Sequence, residues 1–392
     1  MHILMVHNHY QLRGGEDESY QSEVRVLREA GHQVVAYTEH NDRVKVLGNI
    51  RTAIRTVWAT ESYQRLRDIL STSKPDVLHV QNFFPLISPS VYYAARTVGL
   101  PVIQTLRNYR LVCPNALLFR DGQVCEECLG KTLTWPGVQH ACYRESRGAT
   151  ATVAAMIATH RLANTWTEMV DLYIALTEFA RQKFIEGGLP AEKIVVKPNF
   201  VHPDPGLGQH RGGYALFVGR LSSEKGTSTL LKAWEQLGSN ALLRIVGDGP
   251  LREQVQLAAE RMPGVEYLGQ RSVNEVYALM ADARVLIVPS EWYETFGRVV
   301  VEAFAKGTPV IAANIGAIAE LIDHGRTGLL FTPGSPESLV EAVERAWLRP
   351  HELACISHEA RREYETKYTA DCNYQMLMEI YERATKHMIH GR

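Results

Sequence analysis

Long hydrophobic runs are missing from this sequence: the longest charge-free stretch of small and apolar residues in its first half, Gly148 to Thr159, is too short to span a bilayer. Charge of one sign is missing too, since 42 Lys and Arg stand against 43 Asp and Glu for a formal charge of -1. A protein that tracks a phosphate backbone needs a basic excess, and neither half of the chain has one, so nucleic acid is excluded as an expected partner. Cysteine is scarce, with six residues in 392, and a chain this long has ample material for buried cores. A small disulfide-stapled fold is therefore excluded. The opening residues Met1 to Val6 carry no basic leader, which makes a cytoplasmic protein the expectation.

What is present is alternation. Ile3 to Val6 is an apolar run, followed by Gly14 and Gly15, then by Tyr20, Val24, Leu27 and Ala30 at helical spacing, then by a second run from Gln33 to Tyr37. Further strands are expected at Val77 to Val80, Val102 to Thr105, Leu172 to Leu176 and Ile194 to Val196. Between Asn199 and Gly213 prolines and glycines mark a linker, after which strands and helices alternate again from Ala215 to Phe331. The reading is an α/β protein of two Rossmann-like, doubly wound domains facing across a cleft. Residues 1–200 form the first, with a cysteine-containing insert at 113–142; residues 201–370 form the second; a final helix over 371–392 crosses back to the first.

Ligands of open α/β sheets bind at the carboxyl ends of the strands. Strand Ala215 to Val218 runs into Gly219, Arg220 and, five residues on, Lys225, a pairing of cations and glycine suited to a diphosphate. The next strand ends in Gly247-Asp248-Gly249-Pro250, where glycines allow close approach to backbone. Glu294 lies in the loop after strand Val285 to Val288, and Glu302 follows on the helix, up to about 12 Å further along. One carboxylate can bind hydroxyls at each end of an extended ligand. Gly14 and Gly15 precede a helix whose first turn is Glu16, Asp17 and Glu18, which either cradles an anion or simply complements the helix dipole.

The spacing Glu294-x7-Glu302, the Gly219-Arg220 to Lys225 loop, Gly247-Asp248-Gly249-Pro250 and Gly14-Gly15 resemble the retaining glycosyltransferases of GT-B fold, in particular glycosyltransferase family 4, over nearly the whole chain. The resemblance implies transfer of a sugar from a nucleotide-diphosphate-sugar donor to a glycan, lipid-linked or small-molecule acceptor. It implies that Glu294 holds the donor sugar, Glu302 the ribose, and Arg220 and Lys225 the diphosphate. Amides near Phe296 and Gly297 are expected to help, Gly15 and Gly249 to line the donor, and the departing phosphate to assist deprotonation of the acceptor. No catalytic cofactor is expected. Two aspartates one residue apart, the usual mark of a metal-dependent transferase, occur nowhere in the sequence.

Arg107 stands where many members of that family carry a histidine near the reacting sugar, so it is a candidate catalytic residue that binds a hydroxyl or the diphosphate, or else a prop for its loop. Cys113, Cys125, Cys128 and Cys142 either close a tetrahedral zinc site or pack the insert as reduced thiols. From Arg43 to Arg67, six cations interleaved with Val46, Leu47, Ile50, Ile54, Val57 and Trp58 describe a basic amphipathic helix, which lies on an anionic membrane or packs its apolar side on the sheet. The rival functions are a sugar-nucleotide epimerase or phosphorylase of the same fold, and a non-catalytic sugar-nucleotide-binding subunit.

Overall fold

The strands are short, and five of them, Val77–Asn82, Val102–Thr105, Leu172–Ala175, Val285–Val288 and Val310–Ala313, are buried along their whole length, as strands covered on both faces must be. In a computed structural model that describes residues 1–11 and 14–390, with side chains as far as residue 386, they are β1 His2–His9, β2 Gln33–His40, β3 Val77–Asn82, β4 Val102–Thr105, β5 Phe119–Arg120, β6 Gln123–Val124, β7 Leu172–Ala175, β8 Ile194–Val196, β9 Tyr214–Val218, β10 Leu242–Val246, β11 Val265–Gly269, β12 Val285–Val288, β13 Val310–Ala313 and β14 Gly328–Phe331. One parallel sheet has the order β2-β1-β3-β4-β7-β8 and the other β11-β10-β9-β12-β13-β14; β5 and β6 form a separate antiparallel pair. Both large sheets are doubly wound. In each, the chain starts inside the sheet and reverses direction once, between β1 and β3 in the first and between β9 and β12 in the second.

The chain divides into two compact units. The first holds Met1–Leu118, Cys125–Asn199 and the last helix from Asn373 on; the second holds Phe119–Val124 and Phe200–Cys372. Helix Ala370–His390 belongs with the first because its apolar stripe, Leu377, Ile380, Tyr381 and Ala384, is buried in one cluster with Ile3, Met5, Val77, Ile103 and Ile174. In the second unit Phe217, Leu243, Ile245, Ile287 and Ile311 from the sheet pack with Leu230, Trp234 and Val343 from its helices.

The Arg43 to Arg67 segment differs from the expected single helix. It forms two, Arg43–Val57 and Thr60–Ser73, and the first is interrupted at Gly48, whose φ of 73° only glycine adopts easily. Its apolar side is not packed on the sheet. Val46, before the break, is 88% exposed, and Ile50 and Ile54, one turn apart after it, are 79% and 63% exposed, with Lys45 and Arg51 exposed around them. No helix among the described residues is long and apolar enough to cross a membrane.

Candidate active site

In the second unit, the loops leaving β9 and β12 meet at the point where the sheet reverses. After β9 the chain passes Gly219 and the exposed Arg220, makes a short turn at Ser223–Lys225, and enters helix Thr227–Leu237 through Gly226. After β12 it runs Pro289, Ser290, Glu291, Trp292, Tyr293, Glu294 before helix Arg298–Lys306. Lys225 Nζ lies 2.8 Å from Glu294 Oε1, and Ser290 Oγ donates to the same oxygen at 2.6 Å. The backbone amide of Glu291 also donates to the Glu224 carbonyl, at 2.9 Å. Two adjacent loops thus hold a carboxylate and an ammonium in fixed relation at the carboxyl ends of the central strands.

Glu294 is 9% exposed and Ser290 is fully buried. The Lys225 ammonium stands 5.3 Å from the centre of the Trp292 ring, whose buried indole Nε1 has no hydrogen-bond partner. A buried indole N–H normally finds an acceptor, which makes this one an exception among the described residues. Neither Ser290 nor Trp292 stood out in the sequence; a small polar residue just past a strand end was the only signal for Ser290.

Gly226 shows how tightly these loops are fitted. Its φ is 68°, and a Cβ there would lie 1.8 Å from the Pro289 carbonyl oxygen. Gly226→Ala is expected to lower stability by about 1–3 kcal/mol and to loosen the Lys225 to Glu294 pair, read as a lower melting temperature together with weaker donor binding. Gly247 and Gly249 carry a different message from the one expected. A Cβ at Gly247 would lie 1.8 Å from the Gly219 carbonyl oxygen and one at Gly249 2.4 Å from that of Leu221. The room these glycines clear is filled by the neighbouring loop's backbone, so they fit the Arg220 loop closely in place.

Glu302 accepts from Arg298 Nε at 2.8 Å, one turn back on the same helix. Phe296 is buried, edge-on to Tyr368, and Gly297 has no side chain because a Cβ would lie 2.5 Å from Ile318 Cδ1. The structure therefore brings Lys225, Glu294, Phe296, Gly297 and Glu302 onto one stretch of the second unit, with Arg220 exposed on the loop before them.

The expected first-unit residues lie at the other reversal point, between β1 and β3. Gly15 opens helix Gly15–Glu29, but Asp17 of its acidic first turn is buried. Asp17 Oδ1 is 2.9 Å from both His7 Nε2 and His9 Nδ1, and the Gly14 amide donates to Oδ2 at 3.4 Å. Burial alone would raise the Asp17 carboxyl, yet the bonds to the two rings hold it below its ordinary value. His7, buried and stacked on Tyr20 at 4.4 Å, is pushed down by that burial and stays neutral. Glu16 accepts from Tyr10 Oη at 3.1 Å and from Asn108 Nδ2 at 3.0 Å, and burial raises its carboxyl. The alternation of His7 and His9 on one strand face was the legible sign of this cluster.

Arg107 is 7% exposed, donating from Nε to Gln81 Oε1 and from a terminal nitrogen to Asn199 Oδ1, both at 2.8 Å. Of the two roles expected for it, these contacts match the prop. It borders a buried polar network in which Glu23 pairs with Lys197 at 3.1 Å and accepts from Gln81 at 2.6 Å, while His79 bonds Tyr381 Oη and Thr105 Oγ1 at 2.7 Å each. Burial would raise Glu23, but Lys197, His79 and Arg107 together outweigh it and bring the carboxyl to about 2; burial brings His79 down to about 4. In the insert, Cys113 and Cys128 are buried, Cys125 and Cys142 half-buried, and no disulfide joins them. Burial pushes the Cys128 thiol up to about 12.

Residues 14–199 match the model of a glycosyl transferase 4-like domain, and residues 207–364 that of the glycosyl transferases group 1. Together with the paired doubly wound sheets, these matches make the chain a member of the group 1 glycosyltransferases of GT-B fold. It is 26% identical over 372 residues to sulfoquinovosyl transferase SQD2 of Arabidopsis thaliana, covering 90% of this chain and 68% of that protein. It is 31% identical over 178 residues to the uncharacterized glycosyltransferase MJ1607 of Methanocaldococcus jannaschii, an alignment that takes in 44% of this chain and 45% of that one. Among solved structures, Anabaena Alr3699/HepE in complex with UDP-glucose superposes with a TM-score of 0.70 at 18% identity, over 98% of this chain and all of that one.

Proposed function

We propose that this chain moves a sugar from a nucleoside diphosphate donor to a hydroxyl of a glycan, a lipid-linked sugar or another glycoside, with retention at the anomeric carbon and without a catalytic metal. The observation that carries the reading is the Lys225, Glu294 and Ser290 cluster at the reversal point of the second sheet. The complexes of Alr3699/HepE with UDP and UDP-glucose support a nucleotide sugar as the donor class.

In this reading Glu294 binds the sugar hydroxyls and Glu302 the ribose, while Arg220, Lys225 and the start of helix Arg298–Lys306 face the diphosphate. Negative charge grows on that diphosphate as its bond to the anomeric carbon breaks and the electron pair leaves with it; fixed cations stabilise this state more than the ground state. The acceptor oxygen bonds to the same carbon from the same face, and its proton passes to the departing phosphate oxygen. Two cations and a helix N-terminus supply the charge that a metal would otherwise bring. Arg107 serves by holding the end of β4 to Gln81 and Asn199.

The test is a panel of uridine, guanosine, adenosine and thymidine diphosphosugars. The right donor at 100 times its Kd should add about 2.7 kcal/mol of stability, and transfer should persist in a chelator. Activity abolished by chelator and restored by magnesium would overturn the metal-free step, and an inverted product would overturn retention.

The exposed Val46, Ile50 and Ile54 side chains, flanked by Lys45 and Arg51, fit an anionic lipid surface, where a lipid-linked acceptor would be met. Binding to vesicles containing phosphatidylglycerol, but not to pure phosphatidylcholine, is expected, and Ile50→Glu should reduce it by at least about tenfold. Equal pelleting of the variant and the parent would remove the helix from that role.

A further inference from the structure

The segment from Leu106 to Ser146 separates β4 from helix Arg147–Leu162 and contains little regular structure: one turn at Tyr109–Leu111, the β5 and β6 pair and the five-residue helix Trp135–Gln139. A connection of this length normally needs something to hold it. It is also costly backbone. Six of the ten non-glycine residues with positive φ among the described residues fall here, namely Ala116, Leu118, Asp121, Ala141, Arg144 and Glu145. Such conformations persist only where the surroundings over-determine them.

Chain segments that carry Cys113, Cys128 and Cys142 meet at Gly137 in this segment. A Cβ on Gly137 would lie 3.0 Å from Pro114 Cγ, next to Cys113, and 3.4 Å from Cys128 Sγ, so the Gly137 backbone touches both chain segments. Cys142 returns to the same residue, its amide donating to the Gly137 carbonyl at 3.0 Å. Cys125 is three residues from Cys128, and the chain turns back after them through Leu129 N to Glu126 O at 2.9 Å and Lys131 N to Cys128 O at 3.3 Å. Thr134, whose carbonyl meets Cys128 Sγ at 3.8 Å, carries a buried hydroxyl with no partner.

We propose that Cys113, Cys125, Cys128 and Cys142 bind one thiophilic divalent ion of the zinc class, which staples this strained insert to the first unit. Four thiolates complete a tetrahedral shell with no open position, so the role is structural. Binding releases the thiol protons. The one trio of metal-competent atoms among the described residues already within 4.8 Å of one another is that of His7, His9 and Asp17. There both rings point a nitrogen at a single carboxylate oxygen, and His7 Nδ1 lacks the outer partner that a metal-bound imidazole requires.

The full chain, purified in reductant without chelator, is expected to carry about one zinc by mass spectrometry and, with cobalt(II) in its place, to show thiolate charge-transfer absorption in the near ultraviolet. Cys142→Ser and Cys125→Ser, at half-buried positions, should lose most of the metal and melt earlier, whereas Asp17→Asn should keep it. If a cysteine variant is insoluble, the cobalt spectrum of the parent protein decides. A reduced chain that takes up neither ion, metal lost from Asp17→Asn but kept in Cys142→Ser, or disulfides among the four in the purified protein would each overturn the proposal. None of these outcomes depends on transfer activity.

Discussion

Glu294→Gln is expected to slow transfer by about two to three orders of magnitude while leaving donor affinity within roughly tenfold of the parent. The side chain is 9% exposed and is positioned from two directions, by Lys225 at 2.8 Å and Ser290 at 2.6 Å, so its charge is oriented before any ligand arrives. Glutamine keeps the size but removes the charge that sugar hydroxyls meet as the anomeric carbon turns electron-poor. Single-turnover transfer at saturating donor isolates this step. Glu302→Gln provides the contrast: its carboxylate already shares Arg298, and its assigned contact is to ribose, away from the bond that breaks. It should weaken donor binding by about 1–3 kcal/mol and leave the single-turnover rate nearly intact. A Glu294→Gln enzyme with the parent's rate would withdraw that residue from the site.

The second large effect is on stability. Lys197→Met should cost about 3–5 kcal/mol of unfolding free energy, because it strands the Glu23 carboxylate, 2% exposed, without its cation. Adding Glu23→Gln to the same chain should recover part of the loss, since the uncompensated charge is then gone. A single variant within 1 kcal/mol of the parent by denaturant titration would show that the pair is dispensable.

The same network dictates an acid response. Glu23 is held at about 2 against an ordinary 4.5, and His79 at about 4 against 6.5. Both are depressed in the folded chain, so their stabilisation is complete above the ordinary values. It is lost as pH falls, first from 6.5 through 4 for His79, then from 4.5 towards 2 for Glu23, on the order of 3 kcal/mol for each. His79→Gln should remove the upper part of that pH dependence and weaken the lower, because His79 helps to hold Glu23 down.

The architecture was readable because parallel strands covered on both faces are continuous apolar runs: Ile3 to Val6 and Val285 to Val288 announce themselves without knowledge of their neighbours. The residues proposed to meet the donor were readable for a related reason, being placed by short loops at strand ends. What periodicity cannot give is the partner. It found Val46, Ile50 and Ile54 but not that solvent covers them, and it missed the break between the two helices after Val57. It placed Arg107 at a strand end, yet its anchors Gln81 and Asn199 lie 26 and 92 residues away. The glycines at 247 and 249 were noticed for a ligand's sake, whereas the backbone pressed against them comes from the loop of a neighbouring strand.

The placement of helix Ala370–His390 in the core of the first unit reverses the order in which the molecule can mature on the ribosome. Ile3, Met5, Ile103 and Ile174 are synthesised early, but Leu377, Ile380 and Tyr381, which complete their burial, emerge only after residues 200–372 have been made. At about 5–20 residues per second, that delay is on the order of 10 to 30 s. The later-made unit can therefore mature first, apart from its small contribution from Phe119–Val124, while the earlier-made one waits as a partly open, chaperone-accessible intermediate. Nascent chains stalled before residue 370 should consequently be protease-sensitive in β1 to β4 even where β9 to β14 have become resistant.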